Sequence, residues 1–266
     1  MGTSEPGIDK RLELAVEAAR QAGRLTLEYF GRDDLEVERK DDDSPVTAAD
    51  RRAEALLRQR IIEVFPEDAI LGEELPARPG TSGFRWILDP IDGTKSFIHG
   101  VPLYGTLVGV EREEQPTIGV IHIPALDECV YAAVGQGAWY VTAQQPPRPA
   151  RVSACGHLRE GLLLTSELAC FDEAGRREVF EKLHAEARLC RTWGDCYGYL
   201  MVATGRAEVM IDPILNVWDA AALLPVLQEA GGTYTDWNGQ PSIHSGHGVA
   251  TNSRLLEEVL AVTRQE

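Results

Sequence analysis

The chain has 266 residues, with 26 Lys and Arg against 42 Asp and Glu for a formal charge of -16, and 44% of its residues are hydrophobic. That apolar fraction is ordinary for a globular protein, and no run approaches the ~18 apolar residues of a membrane span, so disorder and membrane passage are not expected. The negative charge repels phosphate backbones, so nucleic acid is not an expected partner and an anionic small substrate needs a local cation. Met1–Lys10 is polar and acidic, without a secretory pattern, and Pro6 stands where a myristoylation signal has Ser or Thr; a cytoplasmic location is expected. The five cysteines are odd in number and form no C-x-x-C pair, which predicts reduced thiols.

Leu12, Val16, Ala19, Gly23, Leu27 and Phe30 recur at helical spacing and predict a helix from Asp9 to Phe30, closed by Gly31. A second helix is expected after Pro45-Val46-Thr47, with Ala53, Leu57, Ile61 and Val64 as its apolar stripe and Pro66 as its stop. Short strands follow at Ala69–Leu71 and Phe84–Leu88, then a β-rich stretch at Leu103–Val110, Thr117–Ile123, Glu128–Val134 and Ala138–Val141. Gln144–Pro149 has linker composition, which predicts a boundary between halves of residues 1–147 and 148–266. The second half alternates: strand Leu162–Thr165, helix Asp172–Ala187, helix Gly194–Thr204, strand Ala207–Ile211, helix Val217–Ala230. Strands at Thr233–Thr235 and Gly248–Thr251 and a last helix capped by Asn252 complete an α/β half.

Asp89 and Asp92 lie three apart in Asp89-Pro90-Ile91-Asp92-Gly93-Thr94. On a straight strand they face opposite ways, but Pro90 and Asp92-Gly93 favour a bend that brings them together. Two carboxylates ~4 Å apart repel by about 4 kcal/mol at an effective dielectric near 20, so the pair needs a cation or a shared proton. A plain hairpin turn explains Asp92-Gly93 equally well when taken alone. Against that, the backbone N–H groups of Gly93-Thr94-Lys95-Ser96 can cradle an oxyanion beside the acids.

Trp86–Phe97, with Gly72-Glu73-Glu74 before it and Trp218-Asp219-Ala220-Ala221 near the end, resembles the inositol monophosphatase family of Mg²⁺-dependent, lithium-sensitive phosphatases. The likeness runs from the Asp50 region to Gly231-Gly232. It implies a layered αβαβα sandwich, an α+β amino-terminal half, an α/β carboxy-terminal half and a homodimer. By the resemblance, Glu73, Asp89 and the main-chain carbonyl of Ile91 hold one Mg²⁺, and Asp89, Asp92 and Asp219 another, with two or three ions per site. An all-oxygen set suits Mg²⁺ and not Zn²⁺. Two such ions lower the pKa of an attacking water and stabilise the leaving oxygen. Thr94, hydrogen-bonded to Asp50 and near Glu73, resembles the family's water-activating pair. Each acid also has a structural reading, since Thr47-x-x-Asp50 and Asn216-x-x-Asp219 both have capping-box form. Their joint occurrence in one family's order favours a site, with Asp50 and Asp219 also serving helix ends.

The metal motif indicates the reaction and not the alcohol. Asp92–Phe97, Gly100–Leu107 and Trp193-Gly194-Asp195-Cys196-Tyr197-Gly198-Tyr199 look most like the histidinol-phosphatase branch. A small phosphate monoester is thus the expected partner, bound at Asp92, Gly93, Thr94, Asp195, Asp212 and Asp219. L-Histidinol phosphate carries an ammonium and an imidazole, which acidic walls favour over neutral inositol. Asp212 matches the acid with which the family contacts the alcohol portion, Trp193 or Tyr197 can stack on a ring, Lys95 can reach the phosphate, and Glu167 beside Ser166 can line the pocket. His99 departs from the branch, where Arg is common, and is expected in a loop. Alternatives are an inositol-phosphate phosphatase and a transcription-complex binding partner.

Overall fold

A computed structural model describes residues 6–40 and 44–264 of the chain; residues 1–5 of the amino-terminal decapeptide read above lie outside that range. Helix α1 (Pro6–Leu27) is followed by the small hairpin of β1 (Val37–Arg39) and β2 (Pro45–Thr47), then α2 (Ala48–Val64). Thr47 caps α2 through a capping box with Asp50, as its sequence form predicts. The face that α1 buries is rotated from the expected stripe. Leu14, Ala15, Ala18, Ala19 and Ala22 face inward, Leu12 and Val16 lie at the margin, and Leu27 is 40% exposed. Small side chains let the helix approach the sheet closely, so the alanines and not the larger apolar residues mark the core face. The α2 stripe likewise ends at Ile61, since Val64 is 49% exposed.

Strands β3 (Ala69–Gly72) and β4 (Phe84–Asp92) pair in parallel; helix α3 (Thr94–Ile98) then leads to β5 (Gly105–Arg112), β6 (Gln115–Ile123), β7 (Glu128–Ala133), β8 (Ala138–Thr142) and β9 (Gln145–Pro149). They form one seven-stranded sheet in chain order, antiparallel after β4. The expected linker at Gln144–Pro149 is therefore corrected: it is an edge strand, and the boundary predicted at residue 147 falls within it. Proline is tolerated at a sheet edge, where one row of N–H groups has no ladder to join.

The second half runs β10 (Leu162–Leu164), α4 (Leu168–Glu173), α5 (Arg177–Glu186), β11 (Leu189–Arg191), α6 (Asp195–Ala203) and β12 (Val209–Asp212). It continues through α7 (Val217–Ala220), α8 (Leu223–Glu229), β13 (Thr233–Thr235), β14 (Gly248–Thr251) and α9 (Leu256–Thr263). Two helices expected as continuous are broken, at Ala174–Arg176 and at Ala221–Ala222. The five strands order as β11-β10-β12-β14-β13, with β11, β10 and β12 parallel and β14 antiparallel to both neighbours.

Three apolar clusters define the layers. One lies between α1, α2 and the outer face of the large sheet, and another between α5, α9 and the outer face of the small sheet. The largest, with Ile87, Leu107, Leu200, Val226 and Tyr234, fills the space between the sheets around α6 and α8. The result is the expected αβαβα sandwich. The turn joining α7 to α8 sits so close to the large sheet that a Cβ on Gly119 would lie 2.1 Å from the Ala222 carbonyl. That approach presses α7, and the acid it carries, against β4 and β5.

Candidate metal centre and active-site cleft

β4 and β5 pair in register from Phe84↔Arg112 to Asp89↔Leu107 and resume at Asp92↔Gly105. Three steps on β4 thus match two on β5, which is a β-bulge. The extra residue reverses the alternation of side chains, so Asp89 and Asp92 come to one face although they are three apart. The expected tight turn is replaced by this bulge, where Pro90 needs no ladder N–H. Its carbonyl accepts from Thr106 Oγ1 at 2.9 Å, and Asp89 Oδ1 accepts from Ile91 N at 3.0 Å. The turn comes one residue later: Gly93 has φ +83° and opens α3, so Asp92-Gly93 is not a hairpin turn.

The third acid arrives from the other half. Asn216 and Asp219 form a capping box at α7, with Asn216 N donating to Asp219 Oδ2 at 2.6 Å. Carboxylate oxygens of Asp89, Asp92 and Asp219 lie within 4.8 Å of one another. Asp89 is 2% exposed. Burial, then the nearby charges of Glu73, Asp92 and Asp219, push Asp89 well above the usual carboxylate range; burial and Asp195 do the same to Asp92. Burial lifts Asp219 to about 6.

Glu73 follows β3, its N–H donating to the Leu88 carbonyl at 3.2 Å. Burial pushes its carboxyl up to about 7 against the opposing effect of Lys40. Lys40 Nζ bridges Glu73 and Glu74 at 2.6 Å each. Beneath them the buried Glu54 carboxylate accepts from Glu74 N at 2.7 Å, Leu75 N at 3.2 Å and Arg58 Nε at 2.6 Å, fixing the Glu73–Glu74 turn. Sequence reading missed Lys40, Glu54 and Arg58. The i,i+4 spacing of Glu54 and Arg58 was the available signal.

The expected Thr94–Asp50 hydrogen bond is not formed. Thr94 Oγ1 donates to the Ile91 carbonyl at 3.0 Å, while Asp50 Oδ2 accepts from Thr47 N at 2.8 Å and Thr47 Oγ1 at 2.7 Å. Capping claims that oxygen; the other, Oδ1, is buried with no protein partner, and burial lifts the Asp50 carboxyl to about 6.

A cleft of about 400 Å³ opens over this cluster, lined by Glu73, Gly93, Thr94, Lys95, Ser166, Glu167, Asp195 and Asp219 among others. Asp195, at φ +51°, starts α6; burial and the neighbouring Asp212 lift its carboxyl to about 7. Cys196 N donates to Asp92 Oδ2. Asp212 lies behind the wall, with Oδ1 accepting from Ser166 N at 2.9 Å and Oδ2 from Tyr199 Oη at 2.9 Å. It is not among the residues lining the cleft, so its expected contact with the alcohol portion is replaced by a hold on Ser166. Trp193 is exposed and Tyr197 packs against the inter-sheet core; neither lines the cleft, so the stacking expected of them has no support in the geometry. His99 caps α3, its Nδ1 2.8 Å from the Lys95 carbonyl.

The sequence profile of the inositol monophosphatase family matches residues 8–266. The chain belongs to this family. Among its relatives, a histidinol-phosphatase of Chlorobaculum parvum is 45% identical, covering 94% of this chain and 95% of that one. A histidinol-phosphatase of Mycobacterium tuberculosis is 39% identical over 94% and 96% of the two chains. Of solved family structures, the extragenic suppressor protein suhB of Bartonella henselae superposes with a TM-score of 0.88 at 28% identity, over 96% of this chain and 99% of that one.

The residues present fit the divalent cation that the family implies. Three carboxylates from β4 and α7 converge, Asp89 buried and Asp92 and Asp219 partly so, and without a positive charge between them each is driven toward its neutral form. The Ile91 carbonyl, assigned to the same set by sequence, sits in the bulge and keeps a second lone pair beyond the Thr94 bond.

Proposed function

We propose that the protein is a Mg²⁺-dependent phosphatase that hydrolyses the phosphate monoester of L-histidinol phosphate. The observation that carries the reading is the convergence of Asp89, Asp92 and Asp219 at the floor of a cleft sized for a small ester. Glu73, Asp89, Asp92, Asp219 and the Ile91 carbonyl would hold the ions. When bound, divalent ions supply charge to the phosphoryl oxygens and acidify the attacking water.

The chain's own residues do the rest. The N–H groups of Thr94 to Ser96 have no partner inside α3 and orient the phosphate beside the acids. Thr94 donates to Ile91, which leaves its hydroxyl lone pairs free to accept from the attacking water. Glu73, held at the rim by Lys40, takes the proton that water loses. Asp195 supplies an acidic wall for a cationic alcohol portion, which favours histidinol over a neutral polyol. The two histidinol-phosphatase relatives support the same choice. A homodimer, as the family resemblance implies, and a cytoplasmic location complete the proposal.

The test is phosphate release from L-histidinol phosphate, inositol 1-phosphate and adenosine bisphosphate, with EDTA and with restored Mg²⁺. Turnover that depends on Mg²⁺ and favours the first ester by at least tenfold is expected. Equal turnover of all three, or hydrolysis in EDTA, refutes the reading.

A further inference from the structure

Among the described residues lining the cleft, Lys95 is the one basic residue, against five acids. Three of the acids, Glu73, Asp92 and Asp219, belong to the metal set. The other two, Asp195 and Glu167, come from the second half of the chain and have no metal to serve. Glu167 stands at the start of α4 in an extended conformation, yet its side chain does not cap that helix. Its carboxylate instead pairs with Lys95 Nζ. The pair spans the cleft from α3 of the first half to α4 of the second.

The position of Glu167 is enforced from behind. Ser166 N donates to the buried Asp212 at 2.9 Å, and Ser166 Oγ accepts from Asp195 N at 2.8 Å. The carboxylate is thereby held over the cleft while its partner remains replaceable. The side chains of Lys95 and Glu167 are 68% and 43% exposed, and ion pairs so open to water contribute only about 0–1 kcal/mol. A ligand can displace such a pair at little cost, provided that it offers each member a new partner.

We propose that Lys95 and Glu167 form an exchangeable charge pair that selects phosphate monoesters bearing an ammonium on the alcohol portion. On binding, Lys95 moves from Glu167 to a phosphoryl oxygen, and Glu167 takes the substrate's ammonium in exchange. A neutral polyol phosphate satisfies Lys95 alone and leaves Glu167 without a cation. The inference rests on the phosphatase reading above and assigns its specificity to Glu167, with Asp212 as a positioning residue.

The experiment compares kcat/KM for L-histidinol phosphate and its desamino analogue, 3-(imidazol-4-yl)propyl phosphate, at pH 8, where the imidazole of both is neutral. The Mg²⁺-loaded wild type, Glu167→Gln and Lys95→Gln are assayed. The wild type is expected to prefer the aminated ester by about tenfold or more, the size of one charge-assisted hydrogen bond. Glu167→Gln lowers that ratio by about fivefold or more through a raised KM for the aminated ester, the remainder resting on Asp195. Lys95→Gln raises KM for both esters and keeps the preference. A ratio in Glu167→Gln within twofold of wild type overturns the proposal, as does a fall in KM when Lys95 is removed, which would mean that the lysine blocks Glu167 and does not meet the phosphate. Failure of the wild type to hydrolyse either ester refutes the phosphatase reading itself, whereas hydrolysis of both without preference refutes only the exchange.

Discussion

Glu54 illustrates how a residue that lies outside the cleft governs one inside it. Its buried carboxylate gathers two backbone N–H groups and Arg58, and the turn it holds carries Glu73, a metal ligand in the proposed reading. Outer partners of metal ligands typically contribute 10–100-fold in affinity. Glu54→Gln is therefore expected to shift the Mg²⁺ activation curve to higher concentration by about that factor, with kcat at saturating Mg²⁺ much less affected. His122 offers a test remote from the site. Burial, with Arg20 nearby, lowers its pKa to about 4, and its ring lies 3.3 Å from the Ala19 carbonyl. The unfolded imidazole protonates near pH 6.5. The unfolded state thus binds more protons between these values, and the stability from a neutral His122 is complete above about pH 6.5 and lost as pH falls toward 4. Urea unfolding of wild type and His122→Gln at pH 7.5 and 5.0 should show the wild-type advantage shrinking by about 2 kcal/mol at the lower pH.

Among the elements, the turn after β4 is the most constrained. Gly93 has φ +83°, and a Cβ there would lie 2.8 Å from Asp195 Oδ2. Gly93→Ala should lower stability by about 1–2 kcal/mol from the left-handed backbone alone. It should also reduce kcat/KM at least tenfold, since Asp195 must move; thermal denaturation and phosphate release measure the two effects. The sequence disclosed the metal-set acids and their family order because each sits in a local motif: a capping box, a Gly-Glu-Glu or an Asp-Pro-Ile-Asp-Gly run. It disclosed most strands through alternation bounded by glycine and charge. The bulge was not legible, because register is a property of two strands and nothing in β4 alone states how β5 pairs with it. Gln144–Pro149 misled for a related reason: its composition argues against a strand, but an edge needs only one partner, and β8 provides it. The alanine face of α1 was overlooked because large apolar residues carry the periodic signal, whereas close packing selects small ones. Lys40 and Glu73 lie far apart in sequence, so no spacing rule could join them.

For the molecule as a whole, the inter-sheet core draws Ile87, Leu107 and Ile121 from the first half and Leu200, Val226 and Tyr234 from the second. With the core shared in this way, a single calorimetric transition is expected. On the proposed reading divalent ions bind the folded chain and relieve the crowding of Asp89, Asp92 and Asp219, so Mg²⁺ at 100 times its Kd should add about 2.7 kcal/mol of stability. EDTA should remove that gain and lower Tm, while equal Tm values in Mg²⁺ and EDTA would contradict a folded-state site. Among the described residues, no helix is long and apolar enough to cross a membrane.

The bulge that aligns Asp89 with Asp92 has a consequence for the order of events during synthesis. Both aspartates leave the ribosome well before Asp219, so the nascent amino-terminal half displays two crowded anions whose third companion has yet to be made. On the proposed reading, the ion that Asp89, Asp92 and Asp219 share must await the arrival of α7 against β4. Uptake of that ion would thus report that the two halves have met.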